Sequence, residues 1–309
     1  LPFVHTMGCC PSQPLPTPML TPEKSQSRTS RIGDNFATFA ELSLALKASQ
    51  LESCNLIVGI DFTASNKDNG ARTFGGRNLH AFPPPSYVDA NDKVSQYLPA
   101  PAEGLDLYHP DVNPYCKAIT FVGEALAPLD EDGWIPSYYF GDLTTKGTAV
   151  ASFTPQDPRG CQGFPALLRC YQDRIPQVVL SGPTTFEPLI DQAIRIVKEK
   201  KDFHILLILG DGALTNPARD AAAIVRASHY PLSIIMVGVG DGPWDEMKRF
   251  DDELPGRKFD NFQLVIFDDL VRSDQVRNSP NPAVEFALHC LMEVPEQYQR
   301  IKRLGLLQL

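Results

Sequence analysis

The residues richest in chemistry lie in "LIVGIDFTASN", Leu56 to Asn66. An apolar run ends in Asp61 and continues with Thr63 and Ser65, three oxygen-bearing side chains at alternate positions. In extended backbone, successive side chains point to opposite faces, so these three share one face. A carboxylate and two hydroxyls in a row, where a strand leaves the core, suit a hard cation. Two other places carry matching groups. The loop "LSGPTTFEP" holds Thr184 just ahead of a helix, and the run "ILLILGDG" ends in Asp211. A magnesium-like ion takes an octahedral oxygen shell, gives up water reluctantly and uses few carboxylates. Thr63, Ser65 and Thr184 then supply hydroxyls directly, while Asp61 and Asp211 supply charge, in part through water. Two facing carboxylates repel unless a cation sits between them. An ion so held, Mg²⁺ or else Mn²⁺ or Ca²⁺, keeps one position for a carboxylate from another protein.

Each piece alone is a weak sign, since D-x-[ST]-x-S arises by chance and G-D-G is often only a turn. Their weight comes from the elements that present them. "NLIVGIDF", "FHILLILGDG" and "PLSIIMVGVGDG" are continuous apolar runs rich in branched residues, the pattern of strands buried on both faces of a parallel sheet. "WIPSYYFGD", "TAVASFT" and "NFQLVIFDDL" read as further strands, the second short and at an edge. Helical patterns alternate with them, from "FATFAELSLALKASQLES" to a closing helix interrupted at Pro295. The segment "PWDEMKRFDDEL" is expected to start a helix near Pro243, with Asp241 and Asp245 capping and charging it. Strand–helix alternation with apolar strands predicts an α/β fold: a doubly wound, mostly parallel sheet flanked by helices on both faces. Ligands of such folds bind beyond the carboxyl ends of the strands, where strand order reverses. Asp61, Thr63, Ser65, Thr184 and Asp211 all fall at strand or loop ends. The stretch 66–112, rich in Asn, Pro, Gly and Asp, reads as a surface insertion.

D-x-[ST]-x-S, then G-x-T, then D-G resembles the metal-ion-dependent adhesion site of von Willebrand factor A domains. "NLIVGIDFTASN", "DEDGWIPSYYFGD", "SGPTTFEPLI", "PLSIIMVGVGDGPWDEM" and "FDNFQLVIF" resemble the copine version of that domain. They look closest to the branch found in plant RING-type ubiquitin ligases. The resemblance covers about residues 36–300. It implies a protein-binding module whose metal site captures an acidic side chain of a partner. Copines carry C2 domains ahead of this module and the plant ligases a cysteine-rich RING after it. Neither pattern occurs in this sequence, so lipid binding through C2 domains and ligase activity are not carried over. The expected domains are a tail at 1–35 and a copine-type A domain at 36–309. The alternative is the substrate-recruiting part, or a truncated relative, of a RING-type ligase. A metal-dependent hydrolase is the weaker rival.

The tail is rich in Pro, Ser and Thr and lacks apolar periodicity, the composition of disordered chain. It contains "MGCCPS", which fits the myristoylation pattern with two cysteines behind the glycine. Taking Met7 as the start exposes Gly8 for one acyl chain, and a thioester on Cys9 or Cys10 makes attachment stable. The expected location is then the cytoplasm, at the inner face of the plasma membrane. Basic residues number 28 against 37 acidic, a net charge of −9, which argues against a nucleic-acid partner. The seven cysteines form no CxxC pair and have no histidine at zinc-ligand spacing, so no zinc finger or RING lies within the sequence. There is no G-x-x-x-x-G-K-[ST] phosphate loop, no dinucleotide fingerprint after the first strand and no G-x-S-x-G elbow. The six histidines are scattered and read as structural, and Trp134 and Trp244 as packing residues.

Overall fold

Parallel strands buried on both faces need helices above and below, and that is the arrangement found. A computed structural model describes residues 32, 36–51, 53–81 and 112–308. The chain opens with α1 (Phe39–Ser49), followed by β1 (Asn55–Asp61) and α2 (Pro114–Leu126). Next come β2 (Trp134–Ile135), β3 (Ser137–Phe140), β4 (Ala151–Ser152), β5 (Cys161–Gln162) and α3 (Gly163–Arg174). Then α4 (Glu187–Lys200), β6 (His204–Gly210), α5 (Pro217–Ala227), β7 (Leu232–Gly238), α6 (Asp245–Asp252) and β8 (Phe262–Ile266) alternate. Four helices close the domain: α7 (Phe267–Arg272), α8 (Asp274–Arg277), α9 (Pro282–Leu291) and α10 (Val294–Arg303).

The main sheet runs β4-β3-β1-β6-β7-β8. All its neighbours pair in parallel except β4, which lies antiparallel to β3 at the edge. After β1 the chain moves outward through β3 and β4, then returns to the other side of β1 as β6. Strand order therefore reverses between β1 and β6, and the doubly wound α/β fold has its switch point there. The period of two sorts each strand's side chains. Leu56, Val58 and Ile60 join a core roofed by α1, α2, α3, α9 and α10. Ile57 joins the opposite core under α4, α5 and α6. Gly59 lets α4 come close, since a Cβ there would sit 2.1 Å from a Leu189 methyl.

Three expectations are corrected. "WIPSYYF" is two strands, because Pro136 lacks the N–H to continue one ladder; β2 pairs with β5 while β3 joins the main sheet. The helix expected near Pro243 starts at Asp245, which charges its first turn as expected, but Trp244 stands at the cap position and Asp241 does not cap it. The stretch read as a surface insertion is described over 66–81 and at residue 112, and its first part is no surface excursion. Asn66, Phe74, Leu79 and His80 are buried there, because this segment folds back over the end of β1. The remainder of that stretch, and the tail residues Gly8, Cys9 and Cys10, lie outside the described residues.

Candidate functional site

Asp61 is the last residue of β1 and Asp211 follows the last residue of β6, so the two acids close adjacent strands at the switch point. Gly210 makes room between them. A Cβ at that position would stand 3.2 Å from Asp61 Oδ2. Both acids are fully buried. Burial pushes the Asp61 carboxyl well above the usual carboxylate range, and the charge of Asp211 pushes it further. Burial likewise raises Asp211, opposed by hydrogen bonds from the Ser65 hydroxyl, the Ala213 N–H and the Asn69 amide. Among the described residues no ion pair reaches either acid.

The loop after β1 does not stay extended. Thr63 keeps β backbone, and Ala64 starts a 3-10 turn to Lys67. The turn still brings the two hydroxyls together: Thr63 Oγ1 and Ser65 Oγ lie 2.9 Å apart. The Thr63 N–H donates to Asp61 Oδ1 at 2.7 Å. Asp61 Oδ2, by contrast, is buried and has no hydrogen-bond partner among the described residues. Thr184 is brought to the same edge by two ties. Thr63 bridges Ser181 in parallel, and Thr184 exchanges hydrogen bonds with Thr215, its N–H donating to the Thr215 hydroxyl and its carbonyl accepting from the Thr215 N–H. Four of the five expected residues thus form one bonded cluster. Thr184 stands at its border, 5% exposed, with no hydrogen bond from its hydroxyl to the others.

Side chains that sequence reasoning did not single out hold this cluster. His80 Nε2 donates to the Asp61 carbonyl at 2.9 Å, which leaves Nδ1 to accept from the Tyr171 hydroxyl at 2.8 Å. The ring stacks on Tyr115, 4.2 Å between centroids, and burial holds it neutral with a pKa of about 3. Tyr115 donates to Asn66 Oδ1 at 2.7 Å, and the Asn66 amide donates to the Thr63 carbonyl. Asp220, fully buried on α5, accepts through Oδ1 from the Thr185 hydroxyl and from the Phe186 and Glu187 N–H groups. It supplies the cap that Phe186, at the head of α4, cannot. Asp241 accepts the N–H groups of Arg72 and Thr73. Trp244 packs its indole over Gly212 and Gly238, the packing role expected of it.

A doubly wound α/β domain with an acid–hydroxyl cluster at its switch point is the class of domain that the motifs resembled. The sequence matches the Copine family model over residues 105–309, and the chain belongs to the copine family. It is 43% identical over 302 residues to E3 ubiquitin-protein ligase RGLG5 of Arabidopsis thaliana, covering 93% of this chain and 63% of that protein. To copine family protein 2 of Caenorhabditis elegans it is 44% identical over 276 residues, covering 89% of this chain but 3% of that protein. The chain thus spans less than two thirds of either relative. Among solved structures, a von Willebrand factor type A protein from Catenulispora acidiphila aligns over 79% of this chain and 43% of that one. The identity there is 13% and the TM-score 0.42.

Proposed function

We propose that this domain is a metal-ion-dependent protein-interaction module. Asp61, Thr63, Ser65, Thr184 and Asp211 would hold one divalent cation, Mg²⁺ or a similar hard ion. The observation that carries the reading is the buried Asp61 Oδ2, unpartnered among the described residues, beside a second buried acid that no ion pair among those residues reaches. Leaving an ionised oxygen unpaired in the interior is costly unless a metal or counter-charge meets it. The surrounding donors are all oxygens, the set a hard cation prefers. When bound, such an ion supplies an electrophilic position that a partner's carboxylate completes. The chain's own residues orient that position and keep Asp61 in place from behind through His80.

The Arabidopsis relative named as an E3 ubiquitin-protein ligase supports a second reading, that the domain recruits the protein to be modified. The cysteines here do not form a RING, so transfer of ubiquitin is not placed in these residues. Hydrolysis would need a general base within reach of a bound water. His80, the buried histidine at the site, has both ring nitrogens engaged away from the acids. The "MGCC" motif supports acylation of Gly8 with Cys9 or Cys10, and attachment at the cytoplasmic membrane face. Mass spectrometry of the protein from its native cell decides that point: a fatty amide on Gly8 supports it, and an unmodified residue there ends it.

The metal reading is tested by thermal unfolding. Ligand at 100 times its Kd adds about 2.7 kcal/mol to a fold that alone binds it. Magnesium should therefore raise the melting temperature of the wild type and leave that of Asp61→Ala/Asp211→Ala unchanged. An equal shift in both overturns the assignment.

A further inference from the structure

The two acids of the cluster are treated differently by their neighbours. Asp61 leaves Oδ2 free, whereas both oxygens of Asp211 are engaged. Oδ1 accepts the Ala213 N–H at 3.1 Å, and Oδ2 accepts the side-chain amide of Asn69 at 3.0 Å. A carboxylate only accepts, so the NH₂ side of Asn69 must face it. Asn69 comes from the loop after β1, 142 residues away in sequence, and the loop is fixed from both sides. The Asn69 N–H donates to the Ser65 carbonyl at 3.1 Å, and its own carbonyl accepts the Asp241 N–H at 2.8 Å. Gly240, at φ +93°, lies so close that a Cβ would fall 2.5 Å from that carbonyl oxygen. Beyond it, Asp241 holds the Arg72 and Thr73 N–H groups at 2.7 and 3.0 Å. The amide is thus presented by backbone that has little freedom to withdraw it.

We propose that Asn69 is a positioning and specificity-determining residue of the metal site: it holds Asp211 Oδ2 off the ion, so that Asp211 acts through water and a coordination position stays open. This rests on the metal reading above. A neutral amide suits the task. A lysine would cancel the charge that attracts the cation, and a second carboxylate would add a ligand and favour larger ions such as Ca²⁺. The amide occupies a lone pair while leaving the charge of Asp211 intact. The consequence is an ion with few anionic ligands, left electrophilic toward a partner's carboxylate.

The test uses Mn²⁺ with the whole chain, counting bound metal by electron paramagnetic resonance and its waters by proton relaxation, with Mg²⁺ and Ca²⁺ as competitors for the bound Mn²⁺. In Asn69→Ala, Asp211 keeps its bonds from the Ser65 hydroxyl and the Ala213 N–H but loses the amide on Oδ2. That oxygen is then able to ligate directly, so bound Mn²⁺ should lose one water and bind about tenfold more tightly. Asn69→Asp keeps the size and both backbone ties, and should shift preference from Mg²⁺ toward Ca²⁺. A purely structural residue would weaken metal binding when removed and leave the water count alone. That result, or variants indistinguishable from wild type, overturns the role of Asn69 while the metal site stands. If the wild type takes up no Mn²⁺, the site and this inference fall together.

Discussion

The Thr184 loop owes its position to Asp220, and the dependence is large enough to measure. Asp220 Oδ1 accepts three donors: the Thr185 hydroxyl at 2.7 Å, the Phe186 N–H at 2.6 Å and the Glu187 N–H at 3.1 Å. The first two bonds are buried and the third partly so. In Asp220→Ala the Thr185 hydroxyl and the Phe186 N–H lose this acceptor at once, while the Glu187 N–H keeps a second one, the Thr185 hydroxyl at 3.3 Å. A buried donor left unpaired costs about 1–3 kcal/mol. Against this stands relief from a buried carboxylate whose Oδ2 has no partner among the described residues and whose pKa is raised by burial. The net expected loss is about 3 kcal/mol. Asp220→Asn keeps an oxygen for the three donors and removes the buried charge, so about 1 kcal/mol should be lost. Urea unfolding followed by far-ultraviolet circular dichroism measures both. Because Thr184 sits directly before this anchor, the Ala variant should also bind Mg²⁺ about tenfold more weakly, as loss of an outer-shell support does. The reasoning is refuted if Asp220→Ala loses under about 1 kcal/mol, or if the Asn variant is as damaged as the Ala variant.

Two further perturbations probe the same edge. His80 is neutral in the fold, its pKa lowered by burial to about 3 from 6.5. Its contribution is therefore complete above pH 6.5 and shrinks as pH falls toward 3, because there the unfolded chain binds a proton that the folded chain refuses. The slope is about 1.4 kcal/mol per pH unit. Urea unfolding of wild type and His80→Gln between pH 7 and 4 should show one proton's less slope in the variant, and parallel curves would contradict the buried neutral ring. Gly212 has φ +80°, and a Cβ there would lie 2.5 Å from the Trp244 ring. Gly212→Ala should therefore lose about 2 kcal/mol and change Trp244 fluorescence as the indole moves, whereas an unaltered spectrum and stability would argue against the packing described.

What could be read from the sequence is what local pattern encodes. The continuous apolar runs of β1, β6 and β7 announce strands buried on both faces, and the alternation with helices gives the doubly wound order. The acids and hydroxyls of the cluster stand at strand ends, where a single chain position is informative. What stayed hidden depends on distant pairings. Asn69 matters because of Asp211, Asp220 because of Phe186, and His80 because it turns back to the carbonyl of Asp61. No periodicity marks such residues, and a stretch full of Asn, Gly and Pro looks like surface loop whether or not it folds back. Asp241 shows the opposite error. Its place before a helix suggested a cap, but Trp244 stands at the cap position of α6, and the Asp241 carboxylate accepts from the Arg72 and Thr73 N–H groups instead.

Isothermal titration of Mg²⁺ or Mn²⁺ into the wild type and into Asp61→Ala bears most directly on the claim that this edge of the sheet is a cation site. Heat of binding to a single site in the wild type, abolished in the variant while its circular dichroism is unchanged, is the predicted result. No heat in the wild type, or the same heat in Asp61→Ala, would contradict it.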